Sequence, residues 1–271
     1  VAAPDVASEL ISAYQLDQRR VARGLLAELL RLWRAVVRLD DMASFVRFAE
    51  LAAVLVGHRR EESAQLAARF YELFRQAQVA AAVPASVPVG PFVPAPVAPV
   101  SESAMAGALR GAVLAGFVRG RRAGQSPRRA ADNALVKAAG AATRLVLGGG
   151  RETLLQAVRD DAQALGWLRL TDGDPCHFCL TLASRGPEYK TRQSAGFQAH
   201  DHCSCVPMPV FEGTPMPAST QRAEEIYVAA QRWARENPDL AAKGTKNDAL
   251  NNVRYYLEHR REGGRARDSA A

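Results

Sequence analysis

Apolar residues in the first third of the chain recur at intervals of three and four. Ala22, Leu25, Leu26, Leu29, Leu30, Trp33, Val36 and Val37 fall on one stripe of a 3.6-residue helix, and a stripe that wide needs partner helices to cover it. Asp40-Asp41 suits a helix start ahead of Met42, Phe45, Val46 and Phe48, and a further helix is predicted to carry Leu66, Phe70, Leu73 and Phe74. Residues 1–80 therefore read as a helical hairpin or small bundle. A coiled coil is the weaker reading, because the pattern does not persist over enough heptads.

The pattern then breaks. Val79 to Val100 is uncharged and long enough to cross a bilayer, but Pro84, Pro88, Pro91, Pro94, Pro96 and Pro99 would remove a helix donor every few residues. Residues 81–100 are expected to form an extended, polyproline-like connector, with no membrane span. It would serve as a semi-rigid linker or as a strap laying its valines and Phe92 along a neighbouring subunit.

Residues 101–165 return to helix. Ser101-Glu102 can cap a helix running to about Arg122, Ser126-Pro127 offers a cap followed by proline at the first helical position, and Gly148-Gly149-Gly150 is read as a stop. A third helix is expected from Arg151 to Leu165. Trp167 to Thr171 alternates like a short strand and opens a module over residues 166–215. Residues 216–271 complete the chain with a helix on Ala223, Ile226, Tyr227, Ala230 and Trp233, another on Leu250, Val253, Tyr256 and Leu257, and a basic tail from Arg260. The fold class is mainly α, with helical N-terminal and middle regions, a proline-rich connector and a small α+β Cys/His module of the zinc-knuckle type.

Composition narrows the function. The 271 residues are 48% hydrophobic and 23% charged, enough apolar material for a sizeable core without disulfide scaffolding. The first five residues hold neither a basic n-region nor an apolar h-region, so no secretory signal and a reducing, cytosolic place of synthesis are expected. The net charge of +7 is concentrated between residues 101 and 170. Arg119, Arg121, Arg122, Arg128 and Arg129 surround one helix junction there, which suits either a solvated turn or contacts with phosphates. No base-reading motif accompanies them.

All four cysteines fall within 30 residues, which points to one local site. Asp172-Gly173-Asp174-Pro175-Cys176-His177-Phe178-Cys179 is followed, after 20 intervening residues, by His200-Asp201-His202-Cys203-Ser204-Cys205. Two thiolates separated by two residues can meet one ion in a tight knuckle, and the second cluster supplies the remaining ligands. Sulfur-rich tetrahedral sites with imidazole favour zinc, so one structural zinc ion is expected. Cys176, Cys179, His200, Cys203 and Cys205 are the candidate ligands, one more than a closed site needs. Cys203 and Cys205 would face the same way on an extended strand, and His177 and His202 are expected outside the ligand set. A metal-free thiol cluster, disulfides and a catalytic metal remain open.

These residues carry a resemblance. Trp167 to Phe211, with its Cys-x-x-Cys, the stretch Ala183-Ser184-Arg185-Gly186-Pro187-Glu188-Tyr189, and His200-x-x-Cys203-x-Cys205 followed by Pro-Val-Phe, resembles the signature of phage Mu-type head-morphogenesis proteins. It is most similar to the MuF-like minor capsid proteins of actinobacterial tailed phages. The resemblance implies a minor head protein made in the host cytoplasm. It would associate with the portal and with the major capsid or scaffold protein, and end in the virion at the capsid interior or portal vertex. Packaged DNA would then lie near Arg119, Arg121, Arg122, Arg128 and Arg129. No further domain of the kind fused to some MuF-type proteins is expected after the basic tail.

Some proteins with this signature are described as capsid maturation proteases, which is the rival reading. Ser184, Ser194 or Ser204 could serve as nucleophile, His200 or His202 as base, and Asp201 or Glu188 as the orienting carboxylate. Cys203 with either histidine is a further pair. No Gly-x-Ser-x-Gly elbow, His-Glu-x-x-His helix or Walker loop singles out an enzyme, so a non-catalytic role is favoured and no catalytic residue is assigned.

Overall fold

The structure is a computed structural model that describes residues 6–82, 90–171, 173, 175–187 and 196–268, with main chain alone at 80–82 and 261–268. Four long helices make its body: α1 (Val6–Val36), α2 (Met42–Ala82), α3 (Glu102–Arg122) and α4 (Pro127–Asp160). A two-stranded antiparallel sheet of β1 (Gly166–Leu170) and β2 (Val206–Val210) pairs Gly166 with Val210 and Leu170 with Val206. The short helix α5 (His177–Ala183) lies between the strands in sequence, and α6 (Ala218–Glu236) and α7 (Asp248–Asp268) follow them. The chain is mainly helical, as the apolar periodicity predicts. Among the described residues no helix is long and apolar enough to cross a membrane.

Two expected breaks are absent. The helix starting at Met42 and the one predicted around Leu66–Phe74 are a single 41-residue helix, about 60 Å long at 1.5 Å per residue. The run Gly148-Gly149-Gly150 does not stop a helix either; it lies inside α4, which continues to Asp160. These glycines allow α2 to pass against α4. A side chain at Gly149 would run into the Arg60 carbonyl, and one at Gly150 would sit 2.9 Å from the Ser63 hydroxyl and 3.0 Å from the Tyr14 hydroxyl. Close backbone approach outweighs the helix propensity lost to glycine.

The crossing is tied by a buried polar junction of three helices. Ser63 Oγ donates to Gln18 Oε1 (2.7 Å) and accepts from the Gly150 N–H (3.1 Å), while Gln18 Nε2 donates to the Ser63 carbonyl (3.0 Å). Arg60 donates to the Leu145 carbonyl (2.8 Å) and pairs with Glu152. Around this junction lie two apolar clusters. One joins Leu25, Leu29, Phe45, Phe48, Leu109 and Val146, and the other joins Tyr71, Phe74 and Leu154 to Leu168, Met208 and Phe211 of the sheet region. The second cluster seats the sheet on α2 and α4.

The proline-rich connector begins later than its composition suggests, because α2 reaches Ala82. Its described part, residues 90–100, has no regular secondary structure and packs on its own chain. Phe92 meets Tyr71 with ring centroids 5.6 Å apart, and the Val97 N–H donates to Thr153 Oγ1 (2.9 Å). Arg75 reaches the Gly90 carbonyl (3.2 Å) while bonded to buried Asp161 (2.7 Å), which also accepts from the Tyr71 hydroxyl (3.0 Å). Asp161 Oδ1 accepts from the Gln163 N–H (3.0 Å), so both carboxylate oxygens of the buried pair are hydrogen-bonded.

Candidate metal centre

Local backbone geometry brings the thiols together. Cys176 is the N-cap of α5, its sulfur accepting from the Cys179 N–H at 3.4 Å. The Cys-x-x-Cys spacing therefore becomes the first turn of a helix, with Cys179 pointing inward and buried. The second cluster is a turn: the Cys203 N–H donates to the His200 carbonyl (3.2 Å), and His202 takes the left-handed conformation at φ 64°. That turn leans on α4. Arg144 pairs with Asp201 at 3.1 Å, and a Cβ on Gly140 would lie 2.6 Å from His202 Nε2.

Five candidate ligands converge as two overlapping triads, Cys176–Cys179–His200 and Cys179–Cys203–Cys205, each with its ligand atoms within 4.8 Å of one another. Cys179 belongs to both. His200 Nε2 is 2.9 Å from Cys176 Sγ and 3.6 Å from Cys179 Sγ, and Cys179 Sγ is 3.5 Å from Cys203 Sγ. No two sulfurs are bonded, so all four cysteines are free thiols. His177 and His202 are in neither triad. Ser194 and Glu188, candidates for a proteolytic site, lie outside the described residues, as does Tyr189 of the signature; Ser184 donates to the Thr181 carbonyl (2.9 Å) at the end of α5.

The donor set could hold a metal ion. His200 Nδ1 lies 2.6 Å from the Asp201 carbonyl, a partner that can only accept. Nδ1 therefore carries a proton, and Nε2 is the ring atom that faces the thiol cluster, the orientation metal-bound histidines adopt. The thiols shift one another in opposite directions. Cys176 is lowered to about 5 by a hydrogen bond from Cys179 and by His200, and Cys203 is held far below the ordinary thiol range by Cys179, Cys205 and Arg151. Cys179, which donates to the others, is pushed up. Burial pulls His200 down, but its bond to the Asp201 carbonyl and the nearby Cys176 and Cys203 raise it on balance.

Two buried arginines complete the site, and neither was singled out by motif or spacing. Arg169, the fourth of five residues in β1 and 1% exposed, points one nitrogen at Cys179 Sγ (3.7 Å), donates another to the Gln198 carbonyl (2.7 Å), and stacks 3.7 Å above the Phe197 ring. Arg151, 3% exposed on α4, donates to the carbonyls of Cys205 (3.0 Å) and Cys203 (2.6 Å). Burial depresses Arg151, and Cys203 and Cys205 partly offset that. Among the described residues neither arginine pairs with a carboxylate. A buried guanidinium costs several kcal/mol without a counter-charge, of order 3–5 when a partner is removed, and thiolates are the anions within reach. The signal in the sequence is a charge inside the apolar run Trp167-Leu168-Arg169-Leu170, a strand buried along its whole length.

Comparison with known proteins places these features in a family. A family model described as VG15 protein matches residues 5–230, more than four-fifths of the chain. That span covers the four-helix body, the sheet and the whole Cys/His cluster. A similar relative is the "Gene 15 protein" of Mycobacterium phage D29, 28% identical over 163 residues, covering 46% of this chain and 59% of the phage protein. The chain thus aligns with less than two thirds of that relative. No solved structure matches.

Proposed function

The chain belongs to the VG15 protein family, and from that membership we propose that it is a phage minor capsid protein of the MuF-like, head-morphogenesis kind, bound to the portal and the inner capsid during head assembly and retained in the virion. The observation that carries this reading is that the family match runs unbroken through both the helical body and the Cys/His module, the stretch in which the head-morphogenesis signature was read. In this reading α1–α4 supply surfaces for the portal and for the major capsid or scaffold protein. The module is a folded staple whose Cys176, Cys179, His200, Cys203 and Cys205 supply the ligands of one structural zinc ion, four at a time. Closure favours structure over catalysis: Cys179, Cys203 and Cys205 are buried and both flanking arginines are spent on the site itself.

One observation favours the rival protease reading. Cys176 is the least buried of the four thiols, and its sulfur lies 2.9 Å from His200 Nε2, the geometry of a thiolate–imidazole nucleophile. Against it, Cys179 shares the same imidazole at 3.6 Å, which suits a common metal better than a single nucleophile. The two readings separate by experiment. Mass spectrometry of purified virions and co-purification with portal rings are expected to find the chain intact in both, and capsid subunits incubated with it are expected to stay whole. Cleavage that C176S or H200A abolishes without unfolding would establish the protease instead.

A further inference from the structure

The two helical turns of the body lie side by side, although some 80 residues separate them in sequence. The Phe45 ring near the start of α2 meets Phe117 near the end of α3 at 4.9 Å, and Trp33 near the end of α1 stands edge-on to both Phe45 and Phe48. Gly116 and Gly120 seat α3 directly on Ala134 and Ala130 of α4. The α1–α2 turn and the α3–α4 turn therefore form one end of the bundle. Arg34, Arg38 and Arg47 of the first join Arg119, Arg121, Arg122, Arg128 and Arg129 of the second, and all eight are exposed.

These arginines differ from three others of α2. Arg59, Arg60 and Arg75 of α2 are each paired with a carboxylate, from Glu28 and Glu62, Glu152 and Asp161 respectively. Among the described residues none of the eight is. Arg38 and Arg121 bond main-chain carbonyls, of Val37 and Gln125, and the rest reach solvent. The acidic groups nearby are Asp40, Asp41, Asp132 and Glu50, and Asp41 accepts from the Ala43 N–H at the start of α2. Like charges gathered at one end repel one another, and these four carboxylates are half as many as the eight guanidiniums.

We propose that this end of the bundle is a docking surface for the phosphate backbone of double-stranded DNA. Eight guanidiniums against three exposed apolar side chains, Leu39, Met42 and Val118, suit a polyanion better than a protein, whose interfaces are depleted of charge at their core. No recognition helix accompanies the patch, so binding is to backbone rather than sequence. That the polyanion is DNA rests on the head-protein reading; the chemistry of the patch does not.

The test uses the full chain and a fluorescent mixed-sequence duplex, with affinity measured across a salt series. Binding is expected to weaken steeply with salt, and the log–log slope to fall by about 0.9 for each phosphate-contacting arginine removed, as in R38A, R47A, R121A and R128A combined. R235A, at an exposed position of α6, is the control and should leave the slope unchanged. No binding at low salt, a slope the quadruple variant leaves intact, or equal affinity for polyglutamate would overturn the proposal. Virion proteomics decides the head-protein reading separately, so either can fail while the other stands.

Discussion

Gly149 of α4 lies directly beneath the main chain of Arg60 in α2, so closely that a Cβ at position 149 would enter the space of the Arg60 carbonyl oxygen. The approach sets the distance at which the two longest helices pass, and it lets Ser63 and Gln18 complete their bonds across the gap. Two glycines in helices should therefore respond to alanine with opposite signs. Gly149→Ala is expected to destabilise the chain by about 1–3 kcal/mol, overpacking exceeding the gain in helix propensity. Gly111→Ala on α3, where an added Cβ meets nothing within 4 Å, should stabilise by up to about 1 kcal/mol. Urea denaturation of both variants checks the pair; equal effects would remove the crossing as the reason for the glycine run.

That run marks where sequence reading ends and packing begins. Three glycines after an apolar helical stretch look the same whether they terminate the helix or thin it for a neighbour, since the neighbour is nearly 90 residues away in the chain. Period-3.6 stripes such as Leu25, Leu29 and Trp33 were legible because helix burial is written locally. The thiol pairs were legible for the same reason, their spacing being set by one turn each. Arg151 and Arg169 were not, because their role depends on α4 and β1 closing around Phe197, a relation no local pattern encodes.

Tyr14 provides a pH signature. Burial raises its phenol above the ordinary value, with Arg151 opposing, and among the described residues its hydroxyl has no hydrogen-bond partner. Tyr71 is raised as well, by burial and by Asp161. A raised acid favours the fold while the unfolded chain is also protonated, so this stability is complete below about pH 10 and is lost as pH rises beyond it. Tyr14→Phe should reduce the alkaline slope of stability by about one proton, or about 1.4 kcal/mol per pH unit. At neutral pH it should cost nothing, since an unpartnered buried hydroxyl is removed. An unchanged alkaline slope in urea titrations above pH 10 would contradict the assignment.

Arg169 should matter to the thiols without touching an ion. Its guanidinium lies 3.7 Å from Cys179 Sγ and is held over Phe197. Arg169→Met keeps most of the volume and removes the charge. Zinc retention in competition with a chelator is expected to fall about 10- to 100-fold, the usual consequence of losing a partner of a metal ligand, while the helical content is maintained. Retention equal to the parent chain would leave Arg169 as packing alone.

The most direct measurement is the metal content of protein purified under reducing conditions, followed by its stability after chelation. One zinc per chain is expected, lost in C176S/C179S together with the order of the module. A chain that carries no metal and unfolds at the same denaturant concentration with and without chelator would contradict the zinc staple outright.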